Sequence, residues 1–177
     1  MNEDDQYQDG DVPEIRITLP AGTRNYMTPE GAQRLQADLH GMANVERPKL
    51  AAAVARLTSA ETGGAADDLK RQRWRLRKLD RRIEYLNRML AMLEVVDPTE
   101  QDSDRVVFGA TVTVAGERDE QRTYQIVGVD ESDPEQGRIS WISPVAKALI
   151  GARRDEQVTV TLPGGESKLR VCRIEYH

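Results

Sequence analysis

From Leu69 onward apolar side chains recur at Leu69, Leu76, Leu79, Ile83, Leu86, Leu90 and Leu93, at intervals of 7, 3, 4, 3, 4 and 3, with only Gln72 polar along the seam. A helix carrying that stripe cannot stand alone in water; another helix must cover it. A second stripe lies upstream, through Leu35, Leu39, Met42, Val45, Leu50, Val54 and Leu57. Between the two runs sits the short segment Glu61-Thr62-Gly63-Gly64-Ala65-Ala66-Asp67-Asp68. Two helices of matched length joined by a Gly-rich turn form an antiparallel hairpin. A dimeric coiled coil through the second helix alone is the competing arrangement. The short turn favours the intramolecular one.

The ends of these helices are marked. Thr28 can cap free N–H groups, Pro29 suits the first helical position, and Glu30 favours the positive end of the dipole. Pro48 removes one helical hydrogen bond, and because the stripe resumes at once it is expected to bend the first helix rather than end it. The second helix is expected to stop near Val96, before Asp97-Pro98.

After residue 99 the period changes to two. Val112 and Val114, Tyr124 and Ile126, Ile139 and Trp141, Val158 through Leu162, and Leu169 and Val171 predict five short antiparallel strands. Pro163-Gly164-Gly165-Glu166 predicts the turn between the last two. One short helix interrupts them, with Ser143 as cap, Pro144 at its start and Gly151 past its end. The fold class expected is α+β, an N-terminal antiparallel coiled-coil hairpin followed by a compact domain. Residues 1–23 read as an acidic flexible tail, 24–97 as the hairpin with its tip at 60–66, and 98–177 as the second domain. Within the tail region Ile15–Pro20 alternates, and strand and coil are equally compatible with it.

Charge is unevenly spread. Residues 1–14 hold six acids and no base, whereas residues 70–82 hold eight bases against one acid, Asp80. Arg71, Arg75, Lys78 and Arg82 follow a 4, 3, 4 spacing and line one helical face, a pattern that fits attraction to RNA or to acidic protein walls better than an ordinary mixed-charge surface. Trp74, between Arg73 and Arg75, can stack on a base or pack against the first helix. Cys172 is the single cysteine, which excludes an intrachain disulfide and a Cys-based zinc site and reads as a small apolar strand residue. His40 and His177 have no spaced partners, so neither a metal site nor an acid–base role is assigned to them. No apolar run is long enough for a membrane span and no signal peptide opens the chain, so a soluble cytoplasmic protein is expected.

Several segments, in order, resemble the bacterial Gre transcript-cleavage and elongation factors: Tyr26-Met27-Thr28-Pro29-Glu30-Gly31, Glu46-Arg47-Pro48, Leu79 through Leu86, Val95-Val96-Asp97, Ile139 through Gly151, Leu162 through Glu166, and Ile174-Glu175-Tyr176. The Glu-Arg-Pro and Asp-Arg-Arg elements are closest to the GreB branch. The resemblance implies an FKBP-like C-terminal domain that docks on RNA polymerase, through Ser143, Pro144, Lys147 and Leu149. It also implies a hairpin that enters the secondary channel towards the active site and the nascent RNA 3′ end of a backtracked complex. The protein is then a monomeric, non-catalytic factor with no cofactor of its own, and any Mg²⁺ it meets is shared with the polymerase.

The tip departs from the family pattern. Counted without a gap from Glu46-Arg47-Pro48 to Asp80-Arg81-Arg82, the Asp and Glu that the family places at the tip fall on Thr62 and Ala65, and the following Asn falls on Ala66. Neither residue offers a carboxylate to a hard cation. Glu61, Asp67 and Asp68 remain nearby; Asp67 and Asp68 also suit the N-terminus of the second helix. Three functions compete: a channel-binding regulator with weak cleavage stimulation, an ordinary cleavage factor in which Glu61 or Asp68 replaces the missing acids, and a peptidyl-prolyl isomerase built on the second domain. The last is disfavoured by the shortage of aromatics to line a proline pocket.

Overall fold

The computed structural model describes residues 19–20, 22–59, 66–101 and 103–177. The tail residues 1–18 and the tip residues Glu61, Thr62 and Ala65 lie outside them, as does most of the alternating stretch Ile15–Pro20. The architecture is α+β, and its contacts form two compact units. One contains residues 34–91; the other joins residues 19–33 to residues 92–177.

The first helical run starts as α1 (Pro29–Gly41), widens into a π-turn at Met42–Glu46 and continues as α2 (Arg47–Ser59). The π-turn is how the chain accommodates Pro48. In an unbroken α-helix its ring would collide with the carbonyl four residues back. Here the Arg47 N–H reaches back five residues to the Met42 carbonyl, so the turn before the proline is wider and the helical direction continues.

The second helix, α3, covers Ala66–Ala91 and packs against α2. Its seam is graded. Tyr85, Leu86 and Met89 are buried, whereas Leu69, Leu76, Leu79 and Ile83 are half-buried. An ion pair from Arg47 Nε to Asp80 Oδ1, at 2.7 Å, ties α2 to α3. The helix stops at Ala91, not near Val96. Leu93–Val95 is strand β2, paired in parallel with β1 (Asn25–Met27), with Leu93 opposite Asn25. Leu93 satisfies the heptad arithmetic, yet a backbone ladder claims it, and the β-branched Val95 and Val96 favour that outcome. Sheet structure therefore begins well before residue 97.

The five predicted strands form one sheet: β3 (Thr111–Ala115), β4 (Gln121–Val127), β5 (Arg138–Ser140), β6 (Gln157–Leu162) and β7 (Gly165–Glu175), in the order β5-β4-β3-β7-β6. Three of its ladders are antiparallel as expected, but β4 and β5 run parallel, and Trp141 falls just past the end of β5. The 310 turns at Val129–Glu131 and Pro134–Gln136 lie in the connection that returns β5 in the same direction as β4. Leu162 pairs with Gly165 across the predicted turn, and Gly165 takes a φ of 118° that a side chain would resist. The short helix α4 (Pro144–Leu149) closes one face of the sheet. Its core is Val106, Ala110, Val112, Val114, Ile126, Ala146, Leu149, Ala152 and Val171.

Within the same unit Glu131 is almost fully buried. Its carboxylate accepts the N–H of Thr28 at 3.0 Å, the Thr28 hydroxyl, and the N–H of Gly128 at 2.9 Å. The Thr28 hydroxyl in turn accepts the Gly31 N–H at 3.1 Å, as its capping role predicts. A carboxylate from a distant turn thus completes the cap of α1, where the helix dipole favours negative charge. No helix among the described residues is long and apolar enough to cross a membrane.

Candidate interaction surfaces

The basic face survives folding. Arg71, Arg75, Lys78 and Arg82 lie along one side of α3, Arg75 and Lys78 exposed and Arg71 and Arg82 half-buried. The face flanks the apolar seam rather than opposing it, about 100° round the helix. That position explains its partners. The Lys78 ammonium sits 5.2 Å from the centre of the Trp74 ring and the Arg82 guanidinium 5.0 Å from that of Tyr85. Cation–π contact places both charged heads over these rings, and Lys78 remains exposed to water. Trp74 is half-buried beneath Lys78, so it is engaged within the hairpin rather than presented as an open stacking platform.

Asp67 and Asp68 are exposed in the first turn of α3. Asp68 is ion-paired with Arg71, three residues on. Neighbouring residues on a helix diverge by about 100°, so the two carboxylates cannot chelate one ion together without distortion. The pair does not fit a Mg²⁺ site that needs closely convergent oxygens. It fits complementation of the helix dipole.

The docking residues divide. Ser143 Oγ accepts the Ala146 N–H at 3.2 Å and caps α4, and Pro144 and Lys147 are exposed. Leu149 is 0% exposed inside the core. Its side chain cannot meet a partner, which corrects its assignment to the docking set. Ala146 and Leu149, three apart, turn inward together. The apolar residue that this part of the chain does expose is Ile150, at 40%, and the same three-residue spacing from Lys147 would have pointed to it.

Sequence reasoning also missed a shallow groove on the sheet. About 110 Å³ is enclosed by Val114, Tyr124, Val145, Val160, Leu162 and Leu169, with Glu120 and Arg122 beside them. Its apolar members come from four strands and from α4, so no local sequence signal assembles them. Tyr124 is its one aromatic side chain, poor lining for a proline pocket. His40 contacts Asn44 at 3.0 Å, His177 lies 3.7 Å from Glu175, and Cys172 is half-buried on β7.

Two family models match the chain: "Transcription elongation factor, N-terminal" over residues 25–95 and "Transcription elongation factor, GreA/GreB, C-term" over residues 100–176. Among curated proteins it is 40% identical over 152 residues to transcription elongation factor GreB of Yersinia pestis, covering 86% of this chain and 89% of that one. It is 40% identical to GreB of Pseudomonas aeruginosa, over 85% of this chain and 89% of the relative. Identity to GreA of Hyphomonas neptunium is 36%, over 85% and 96%. Among solved structures, the GreA factor homolog Gfh1 of Thermus thermophilus superposes with a TM-score of 0.42 at 20% identity, over 86% of this chain and 99% of that one. Matched over both halves in sequence order, the chain belongs to the GreA/GreB family of transcription elongation factors, close to GreB.

Proposed function

We propose that this protein binds bacterial RNA polymerase in the cytoplasm as a monomer, inserts its hairpin into the secondary channel, and stimulates transcript cleavage weakly or not at all. The observation that carries this reading is the tip sequence. Counted without a gap between Glu46-Arg47-Pro48 and Asp80-Arg81-Arg82, Thr62 and Ala65 take the positions at which the resemblance implies an Asp and a Glu. The basic side of α3, which suits an RNA 3′ end or acidic channel walls, is kept, as is the exposed Pro144 and Lys147 surface of α4. Binding energy does not depend on the tip carboxylates, so occupancy of the channel is retained when cleavage is lost.

The second reading, an ordinary cleavage factor using Glu61 or Asp68, gains little from Asp68, whose carboxylate already faces the Arg71 guanidinium. The test is cleavage of a stalled, backtracked elongation complex. Wild-type protein is expected to add little to the intrinsic rate and to compete with an acid-bearing Gre factor. Thr62→Asp with Ala65→Glu should raise cleavage at nearly constant affinity. Wild-type cleavage at the rate of an acid-bearing factor, abolished by Glu61→Gln or Asp68→Asn, would establish the second reading instead.

A further inference from the structure

The apolar seam of α3 does not fix its own register. It consists of Leu69, Leu76, Leu79, Leu86 and Leu90, with Ile83 the β-branched member among them. In a 3, 4 repeat of nearly one residue type, a slide of about 5.4 Å, one helical turn, sets apolar on apolar again. Uniform Leu packing specifies position poorly. The facing helix adds little. Leu50, Ala51, Ala53, Val54 and Leu57 of α2 are half-buried, and no residue of α2 is fully buried. Nor does the stripe of α1 carry its phase across. The π-turn interrupts it, and Val45, on the stripe by spacing, is 45% exposed.

What distinguishes one register from its neighbours is charge. Asp80 is the only acid between Asp68 and Glu84. Its Oδ1 lies 2.7 Å from Nε of Arg47, the first residue of α2. One turn toward Ala66 would carry Arg47 to the level of Leu76 and the like-charged Arg77. One turn the other way would bring it to Ile83 and Glu84, and Glu84 is already paired with Arg88 at 3.1 Å. The side chains of Arg47 and Asp80 are 49% and 41% exposed, so their attraction adds little to stability. A polar pair in an otherwise degenerate apolar seam acts on register instead. From this pair α2 runs about 18 Å to Ser59, and α3 reaches back about 21 Å to Ala66.

We propose that Arg47 and Asp80 are positioning residues: their pairing sets the register of α2 on α3, and with it where Ser59 and Ala66, the ends nearest the tip, stand relative to each other. Without the pair both helices persist, but α2 also occupies positions one turn away along α3. The consequence for transcript cleavage rests on the function proposed above; the register itself does not. A slide of about 5.4 Å far exceeds the displacement of about 1 Å that already disables a reacting geometry.

The test uses the full chain. Nitroxides are placed through Ala55→Cys and Asn87→Cys, both exposed, with Cys172→Ser removing the native thiol. The observed register sets these sites about 22 Å apart along the helix axes, so a slide changes their separation directly. The parent protein should give one distance by double electron–electron resonance. Arg47→Ala and Asp80→Ala should each add a second distance about 5 Å from the first, with helicity by circular dichroism nearly unchanged. Arg47→Lys, which keeps the charge, should retain the single distance. In parallel, Asp80→Ala combined with Thr62→Asp and Ala65→Glu should lower the maximal cleavage rate on a backtracked complex about tenfold relative to Thr62→Asp with Ala65→Glu, at an unchanged half-saturating concentration. A single distance in both alanine variants overturns the proposal, and so does lost helicity without a second distance, which would make the pair a matter of stability alone. A second distance with an unchanged maximal rate overturns the positioning role. If Thr62→Asp with Ala65→Glu gains no cleavage, the proposed function is what fails, and the distances alone decide the register.

Discussion

Glu131 shows how much one side chain can hold. Three donors converge on its buried carboxylate, two from Thr28 and one from Gly128. Glu131→Ala leaves all three without an acceptor in a site closed to water, and should cost about 2–4 kcal/mol in urea denaturation. Glu131→Gln, which keeps the shape and one acceptor, should cost less than half as much. Gly31→Ala should resemble Glu131→Ala, because a Cβ there would overlap the Glu131 carboxylate. Tyr176 supplies a pH-dependent counterpart. Its hydroxyl donates to the Arg105 carbonyl at 2.6 Å and accepts the Val107 N–H at 3.3 Å. Burial pushes its pKa above the usual value of 10, partly opposed by the hydrogen bonds from Val107 and Ser103. A raised folded value means that the contribution is fully present below pH 10 and is lost as pH climbs through the folded value. Wild-type stability should therefore fall above pH 10 more steeply than that of Tyr176→Phe, measured by denaturation at fixed pH steps.

At the scale of elements, the hairpin is anchored at one end. Leu86 is 1% exposed, whereas Leu76 is half-buried nearer the tip. Leu86→Ala should cost about 3–4 kcal/mol and Leu76→Ala less than half of that, because a partly exposed site loses less transfer free energy and leaves a smaller cavity. Equal losses in chemical denaturation would mean a uniformly buried seam. The short α4 depends on its cap. Ser143→Ala removes the acceptor for the Ala146 N–H and should cost about 1 kcal/mol.

For the whole molecule, the proposed function assigns affinity and chemistry to different surfaces. Lys147→Glu, on the exposed side of α4, should weaken polymerase binding while leaving the urea midpoint unchanged. Joint replacement of Arg71, Arg75, Lys78 and Arg82 by Ala should instead reduce the effect on backtracked complexes. Its influence should shrink as salt rises, because these heads lie at or near the surface. The quadruple variant should keep most of its helicity, with a small stability loss from the Lys78–Trp74 and Arg82–Tyr85 contacts. Binding titrations at 0.1 and 0.5 M salt, alongside circular dichroism, separate the two surfaces.

Periodicity by itself determined the two helices, the order of the five strands along the chain and the alignment of basic residues on one side of α3, and the Ser143-Pro144 pair determined a cap. These are local: a spacing of 3 and 4 or of 2 fixes which side chains share a face before any tertiary contact exists. The ordered motifs determined the family. Only the tertiary structure decided where α3 ends, because Leu93–Val95 fits either a heptad or a strand and the choice belongs to Asn25–Met27, far away in sequence. It likewise decided that β5 runs parallel to β4, that Glu131 caps a helix beginning 102 residues earlier at Pro29, and that Leu149 is core while Ile150 is surface. Strand direction, cap partner and burial depend on which distant groups satisfy a donor or fill an apolar gap. That information is spread over the whole chain and is not present in any window of it.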